Sequence, residues 1–143
     1  MMRMDKDDVR QASGRFSQAV NGILGGNPEP MLAIWSHADD TTYCDTNGEI
    51  QRGWKALEAY WRRAAEQNAD ASVRLIVTAR EQAIYGASDL AYTVMVEEVR
   101  TTDGSFVLDS RATIIYRREG GEWRVVHRHT DAPPKATLDG KGE

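Results

Sequence analysis

Apolar residues recur at helical spacing near the start of the chain, at Val9, Ala12, Phe16, Ala19, Val20, Ile23 and Leu24. Steps of three and four residues place these side chains on one face of an amphipathic helix. Two consecutive glycines, Gly25 and Gly26, favour its end. A shorter helix is predicted next, capped by Asn27, with Pro28 in its first turn and an apolar stripe of Met31, Leu32 and Trp35.

A short β-hairpin and a third helix are predicted after this pair of helices. Residues Thr41–Cys44 include β-branched and aromatic residues typical of a strand. The dipeptide Asn47-Gly48 is typical of a tight hairpin turn, and residues Glu49–Arg52 form the returning strand. Gly53 then begins a helix with a broad apolar face, formed by Trp54, Leu57, Tyr60, Trp61, Ala64 and Ala65.

The rest of the chain alternates between apolar and polar positions, which predicts long strands. We place them at residues 72–85, 90–102, 106–118 and 123–130, with glycine-containing turns between them. Helices followed by an antiparallel meander indicate the α+β class. Because such a sheet twists, we expect a pocket between its concave face and the helices, and this pocket is the default ligand site.

The length and composition of the chain further limit the number of domains, the partners and the localisation that we expect. The 143 residues suit a single domain, which we place at residues 1–132, followed by a polar and flexible tail at residues 133–143. A net charge of −4 argues against nucleic acid as a partner. A single cysteine, Cys44, excludes an internal disulfide. The sequence shows no apolar run of signal-peptide or membrane-span length, so we expect a cytoplasmic protein with no membrane partner.

Several features together resemble the SnoaL-like branch of the nuclear-transport-factor-2-like superfamily. They are the order of the elements, the Gly53-Trp54 helix start and the ending Gly121–Thr130, with the sequence GEWRVVHRHT. This ending is similar to the association domain of calcium/calmodulin-dependent protein kinase II, and the resemblance covers roughly residues 8–132. It implies a cone in which three N-terminal helices pack on a curved, mixed but mainly antiparallel sheet. It also implies a homodimer built by packing sheets together.

Asp45 is the first candidate catalytic residue. In the ketosteroid isomerases that the chain resembles, a carboxylate near this place in the fold acts as the general base. Burial in an apolar pocket would bring such a carboxylate toward a useful pKa. The alternative is that Asp45 is the first residue of a hydrated turn, a common role for aspartate.

His127 and His129 are the other catalytic candidates. They lie two residues apart on a predicted strand and therefore point to the same face. They could act as acid, base or hydrogen-bond donors in the pocket, or they could be structural residues of the sheet or of a dimer contact. His37 and scattered carboxylates are the only further ligands for a metal, so we predict no metal and no cofactor.

Two arginines and three aromatic residues are the candidate ligand-binding residues. Arg111 and Arg128 lie on late strands, and an enclosed arginine requires an anionic ligand or a buried carboxylate such as Glu98. Flat rings suit a cyclic or aromatic ligand, and the candidates are Tyr43, Trp54 and Tyr92.

The register of the last strand decides which of these residues reach the pocket. If Trp123, Val125, His127 and His129 face inward, Arg128 faces outward, unless a β-bulge reverses the last part of the strand.

Two functions remain open at this point. One is a domain that binds a small hydrophobic, aromatic or anionic molecule, with a cofactor-free cyclase or isomerase as its catalytic form. The alternative is a non-catalytic association module that serves oligomerisation. A homodimer is expected in either case, because the outer sheet face is predicted to carry the apolar residues Ile76, Ile114 and Tyr116.

Overall fold

A computed structural model of the protein describes residues 2–132, so the predicted tail at residues 133–143 lies outside the described residues. The helices and strands follow in the order α1 Met2–Leu24, α2 Glu29–Ile34, β1 Thr42–Cys44, β2 Ile50–Arg52, α3 Trp54–Ala69, β3 Leu75–Gly86, β4 Leu90–Thr101, β5 Phe106–Glu119 and β6 Glu122–Asp131. This order confirms the α+β class.

The strands form one six-stranded sheet in the order β2-β1-β6-β5-β4-β3. Strands β3 to β6 are an antiparallel meander, because each pairs with the next along the chain. The short strand β1 is antiparallel to β2 but parallel to β6, with Thr42 opposite His127. The sheet is therefore mixed but mainly antiparallel, as predicted.

The expected set of three N-terminal helices is wrong. Only a long helix, α1, and a short helix, α2, precede the first strand, and α3 follows the β1–β2 hairpin. The chain changes direction at Gly53, whose φ of 84° is in the left-handed region that favours glycine. Its N–H donates to the carbonyl of Thr41 at 2.7 Å, so α3 begins directly beside the hairpin.

The core lies between α1 and the inner face of the sheet. The apolar stripe predicted for α1 is largely buried, and Val9, Ala12, Phe16 and Ala19 are fully covered. Burial of a large apolar side chain such as Phe16 stabilises the fold by about 1.5–3 kcal/mol. The sheet supplies the opposite wall with Ala91, Met95, Ala112, Ile114, Tyr116 and Val125.

The predicted faces of β5 are partly wrong. Ile114 and Tyr116 were expected on the outer face, but both are completely buried in the core. Side chains alternate along a strand, so the residue between them, Ile115, points to the outer face instead. Ile76 does face outward, and 47% of its surface is exposed.

A β-bulge in β6 settles which residues of the last strand face inward. Ile115 pairs with His127 whereas Tyr116 pairs with Val125, so Val126 is an extra residue without a partner on β5. The extra residue reverses the alternation. Val125 is therefore buried before the bulge and Arg128 is buried after it, while His127 and His129 are turned toward the outer face.

Candidate functional site

The bulge brings Arg128 onto the inner face, where it meets a buried carboxylate. Arg128 and Glu97 are only 5% and 4% exposed, and Arg128 Nη2 lies 2.6 Å from Glu97 Oε1. The partner is therefore Glu97 and not the expected Glu98. Glu98 forms its ion pair with Arg100 at 3.0 Å, at the surface of the sheet.

Two aromatic rings flank the guanidinium of Arg128. Its Cζ atom lies 4.9 Å from the ring centroid of Phe16 on α1 and 5.4 Å from that of Tyr43 on β1. A cation–π contact that is shielded from water contributes about 2 kcal/mol. These rings therefore hold the guanidinium in place and form apolar walls beside it.

The guanidinium keeps hydrogen-bonding capacity after it has paired with Glu97. Within the described part of the chain, neither Nε nor Nη1 of Arg128 has a hydrogen-bond partner, although both atoms are buried. The hydroxyl of Tyr116 also lies in this region, and burial raises its pKa, so it stays protonated. The inner site thus presents donor groups inside an apolar shell.

Asp45 lies at the end of β1 and is 7% exposed. Its Oδ1 accepts hydrogen bonds from the backbone N–H groups of Asn47 at 2.9 Å and Glu49 at 3.1 Å, which is the turn role foreseen as the alternative. Its Oδ2 accepts the hydroxyl of Tyr60 on α3 at 3.1 Å. Three donors thus hold the carboxylate in place, and Oδ2 keeps one further acceptor position.

Tyr60 was not predicted as a site residue. Burial, with Tyr43 and Asp45 close by, raises the pKa of Tyr60 well above its ordinary value, so its hydroxyl acts as a donor. Sequence reasoning assigned Tyr60 to the apolar face of α3, and a tyrosine on such a face needs a partner for its hydroxyl. This need of the Tyr60 hydroxyl for a hydrogen-bond partner is the feature of the sequence that could have identified Tyr60 as a site residue.

Tyr43 lies at the centre of the inner aromatic cluster. Its ring stacks on Trp61 with centroids 5.3 Å apart, and it meets the edge of Tyr60 at 5.4 Å. Trp54, at the start of α3, stacks instead on His37 at 4.0 Å. The structure therefore brings Tyr43 against the guanidinium of Arg128, whereas Trp54 packs on His37.

The remaining predicted residues lie on the outer face of the sheet. His127 forms a 2.7 Å hydrogen bond through Nδ1 with the hydroxyl of Thr42. Partial burial, with a smaller effect from His129, lowers the pKa of His127 and favours its neutral form. His129, Arg111 and Asp131 line a surface cleft of about 250 Å³, where Arg111 pairs with Asp131 at 2.8 Å.

Tyr92 also faces outward. Its ring stacks on Tyr85 with centroids 5.7 Å apart, and both rings line an apolar cleft of about 580 Å³. The predicted site residues are therefore divided: Asp45, Tyr43 and Arg128 lie inside, whereas the histidines, Arg111 and Tyr92 lie outside. Glu97 was missed because β4 carries its larger apolar residues on the outer face.

Two kinds of feature are absent from the described residues, a metal-binding group of side chains and a membrane-spanning helix. Among the side chains that the structure describes, no three or more His, Cys, Asp or Glu residues are grouped so that they could hold a metal ion. No helix in the same part of the chain is long and apolar enough to cross a membrane.

A family model for the SnoaL-like domain matches residues 9–133. The chain belongs to the SnoaL-like domain family. The match spans nearly the whole chain, and it confirms the resemblance inferred from the element order and from the ending Gly121–Thr130. No curated protein matches the chain.

Solved structures of this SnoaL-like domain's relatives agree with the fold. An NTF2-like protein of unknown function from Pseudomonas putida is 26% identical, with a TM-score of 0.77 over 93% of this chain and 89% of that one. A protein from Thiobacillus denitrificans, provisionally assigned as a calcium/calmodulin-dependent protein kinase type II association domain, is 22% identical, with a TM-score of 0.72 over 86% and 93%.

A ketosteroid isomerase-like protein from Erwinia carotovora atroseptica is 14% identical, with a TM-score of 0.71 over 91% of this chain and 97% of that one. At this identity the similarity shows a shared fold and carries no activity to the present chain.

Proposed function

We propose that this SnoaL-like domain binds a small hydrophobic or aromatic molecule on the inner face of its sheet, beside Arg128. The observation that carries the proposal is a buried guanidinium with two nitrogen atoms, Nε and Nη1, that have no partner among the described residues. A buried donor without a partner costs about 1–3 kcal/mol. A ligand oxygen that accepts from these nitrogens recovers that free energy.

The chemistry of the surroundings supports the same function. Phe16 and Tyr43 stand beside the guanidinium and are both buried, so a ring or an alkyl body reaches them only when the side chains around Arg128 move apart. Proteins that bind small molecules combine such apolar walls with a few well-placed polar groups. The structural relatives include isomerase-like and association-domain proteins, so the fold itself is compatible with ligand binding without requiring a reaction.

We assign no reaction to this site. A cyclase or isomerase of the kind implied by the resemblance needs a carboxylate that is free to take a proton from the ligand. Asp45 is enclosed, as that mechanism requires, but its three hydrogen bonds hold it in the turn and against Tyr60, and no contact among the described residues joins it to Arg128. Ligand binding needs only the donors of Arg128, whereas catalysis by Asp45 also needs the reacting atom of the ligand to come within reach of Oδ2.

The test of this proposal is calorimetric titration with benzamide, an aromatic probe that carries a carbonyl oxygen. We expect the wild-type protein to bind benzamide and Arg128→Met to lose at least about tenfold in affinity, a factor that corresponds to one hydrogen bond of about 1.4 kcal/mol. Arg111→Met is the matched control, because Arg111 is an exposed arginine on the opposite face. Equal binding by wild type and Arg128→Met would contradict the proposed site.

The association module is the second candidate function. The observation that favours it is the outer cleft, where Tyr85, Leu90 and Tyr92 are 45%, 53% and 41% exposed. Contiguous exposed apolar surface is typical of protein contacts. We propose that two copies pack through this face as a homodimer, and Leu90→Glu should then convert the dimer to a monomer in light scattering. A wild-type protein of monomeric mass at high concentration would contradict this proposal.

A further inference from the structure

The chain carries the same chemically labile dipeptide at two places. Asparagine is followed by glycine at Asn21-Gly22 and at Asn47-Gly48. The backbone nitrogen that follows an asparagine can attack the carbon of the side-chain amide, and a glycine in that position hinders the attack least because it has no Cβ atom. The fate of each asparagine therefore depends on how the fold holds its carboxamide and the next backbone nitrogen.

The fold restrains the first of these dipeptides at several atoms. Asn21-Gly22 lies within α1, where the helical backbone keeps the Gly22 N–H in an intrahelical hydrogen bond. The Asn21 carboxamide is fixed as well, because its Nδ2 donates to the carbonyl of Val77 at 3.0 Å and its Oδ1 accepts the Val77 N–H at 2.8 Å. Attack on Asn21 therefore requires both the end of α1 and its contact with β3 to open.

The second dipeptide lies in the turn between β1 and β2. Asn47 and Gly48 are both exposed, and no hydrogen bond among the described residues involves the Asn47 carboxamide. The Gly48 N–H donates to the carbonyl of Asp45 at 3.1 Å, and this surface hydrogen bond is the one that the attack has to break. Because an exposed turn opens at a much lower free energy than a helix packed on a sheet, the two dipeptides differ in reactivity.

We infer that Asn47 is a site of spontaneous deamidation, and that the contacts of Asn21 with Val77 confine this modification to the turn. The Gly48 nitrogen loses its proton to a water molecule and forms a bond to Cγ of Asn47, while the side-chain amide leaves as ammonia. Water then opens the resulting succinimide ring at either of its carbonyl carbons. The products are aspartate and isoaspartate at position 47, and both carry a new carboxylate.

The modification changes the surroundings of the candidate catalytic residue Asp45. The N–H groups of Gly48 and Glu49 both donate to Asp45, at 3.1 Å each. Isoaspartate adds one carbon atom to the main chain between positions 47 and 48, so the turn cannot keep both of these hydrogen bonds unchanged. Aspartate leaves the main chain as it is and places a second negative charge in the turn. Deamidation therefore alters the turn that holds the Asp45 carboxylate.

Peptide mapping by mass spectrometry tests the inference, because it follows both asparagines in one sample. Wild-type protein is incubated at mildly alkaline pH, once folded and once unfolded in urea. In the folded protein Asn47 should convert at least about tenfold faster than Asn21. In urea, where neither dipeptide is held by the fold, the two rates should agree within about threefold.

Two variants test the assignment to Asn47 by ion-exchange chromatography. Folded wild-type protein should accumulate an acidic species, and Asn47→Ser should not. Asn68→Ser is the matched control and should accumulate that species as wild type does, because Asn68 precedes an alanine and its carboxamide donates to the carbonyl of Ala64 at 2.8 Å. Equal rates at Asn21 and Asn47 in the folded protein, or conversion of Asn47 only in urea, would overturn the inference. The mapping of wild-type protein decides this even if a variant does not fold.

Discussion

Arg128 on β6 and Glu97 on β4 meet at 2.6 Å across the intervening strand β5, although 31 positions separate them in the chain. On β5, Ser110 lies opposite Glu97 and Ala112 lies next along the inner face. Ile114 is the β5 residue opposite Arg128, so the Arg128 side chain reaches diagonally along β5 to the carboxylate of Glu97. The ion pair thus depends on the bulge at Val126, which turns Arg128 inward.

Arg128→Met should destabilise the fold strongly. The substitution leaves the Glu97 carboxylate buried without its partner, and breaking a buried ion pair in this way costs about 3–5 kcal/mol. Urea denaturation of the variant measures this change in the free energy of unfolding. Arg111→Met, which removes an exposed ion pair on the other face, should cost no more than about 1 kcal/mol.

The double variant Arg128→Met/Glu97→Gln completes this comparison. It removes the unpaired charge, so its free energy of unfolding should return most of the way to that of wild type. An Arg128→Met variant as stable as Arg111→Met would show that the pair is not buried as described.

Tyr60→Phe should destabilise the protein by about 1–3 kcal/mol, because it leaves Oδ2 of the buried Asp45 carboxylate without its donor. Thermal or urea unfolding measures the effect. Tyr85→Phe is the matched control: Tyr85 is 45% exposed, and its substitution should change the stability by less than about 0.5 kcal/mol. Equal losses in the two variants would contradict the hydrogen bond between Tyr60 and Asp45.

Arg117→Met should raise the pKa values of two carboxyl groups. Arg117 donates to Asp40 at 2.7 Å and to Glu119 at 2.8 Å. The hydrogen bond from Arg117 is the main cause that lowers the pKa of Asp40. Burial works against ionised Glu119, but hydrogen bonds from Ser36 and Arg117 outweigh it and lower its pKa as well. Titration of both carboxyl carbons by NMR measures the change.

The ionisation of Asp40 and Glu119 makes the free energy of unfolding depend on pH. Because their pKa values are lower in the folded state than the ordinary values of 3.8 and 4.5, their stabilising contribution is fully present above about pH 5 and is lost as the pH falls through the folded values. Arg117→Met should show a smaller loss of stability on acidification. Arg62→Met, which removes an arginine paired with Glu58, should leave both titrations unchanged.

Two glycine substitutions should have opposite effects. Gly26 has a φ of +91°, and a Cβ atom there would lie 2.8 Å from the Cβ of Ala69. Gly26→Ala should therefore cost at least about 1–2 kcal/mol from the left-handed backbone alone. Gly14 is an exposed position within α1, and a Cβ there meets nothing within 4 Å. Gly14→Ala should stabilise the protein by about 0.5–1 kcal/mol. Thermal unfolding compares the two, and a stabilised Gly26→Ala would contradict the contact with Ala69.

Local patterns in the sequence were sufficient for the order of the elements. The helical stripe of α1, the Asn47-Gly48 turn and the alternating strands all act over a few residues, and the structure has each of them. The family could also be predicted from the sequence, because the order of the elements, together with the ending Gly121–Thr130, covers most of the region that the family model matches.

Only part of the candidate site could be predicted from the sequence. The alternation of apolar and polar residues shows that a strand has two faces, but it does not show which face the helices cover. On β4 the larger residues, including Tyr92, face outward, while the inner face holds Glu97. The bulge at Val126 has no local signal, and it decides that Arg128 is inside and His127 is outside. The contact between Arg128 and Glu97 arises only when β4, β5 and β6 are paired.

The most direct test of the central claim is a crystal structure of the protein soaked with benzamide. We predict density for benzamide on the inner face, with its carbonyl oxygen within hydrogen-bonding distance of Nε or Nη1 of Arg128 and its ring against Phe16 or Tyr43. Density confined to the outer cleft of Tyr85, Leu90 and Tyr92, with none beside Arg128, would contradict the claim that the inner face is the ligand site.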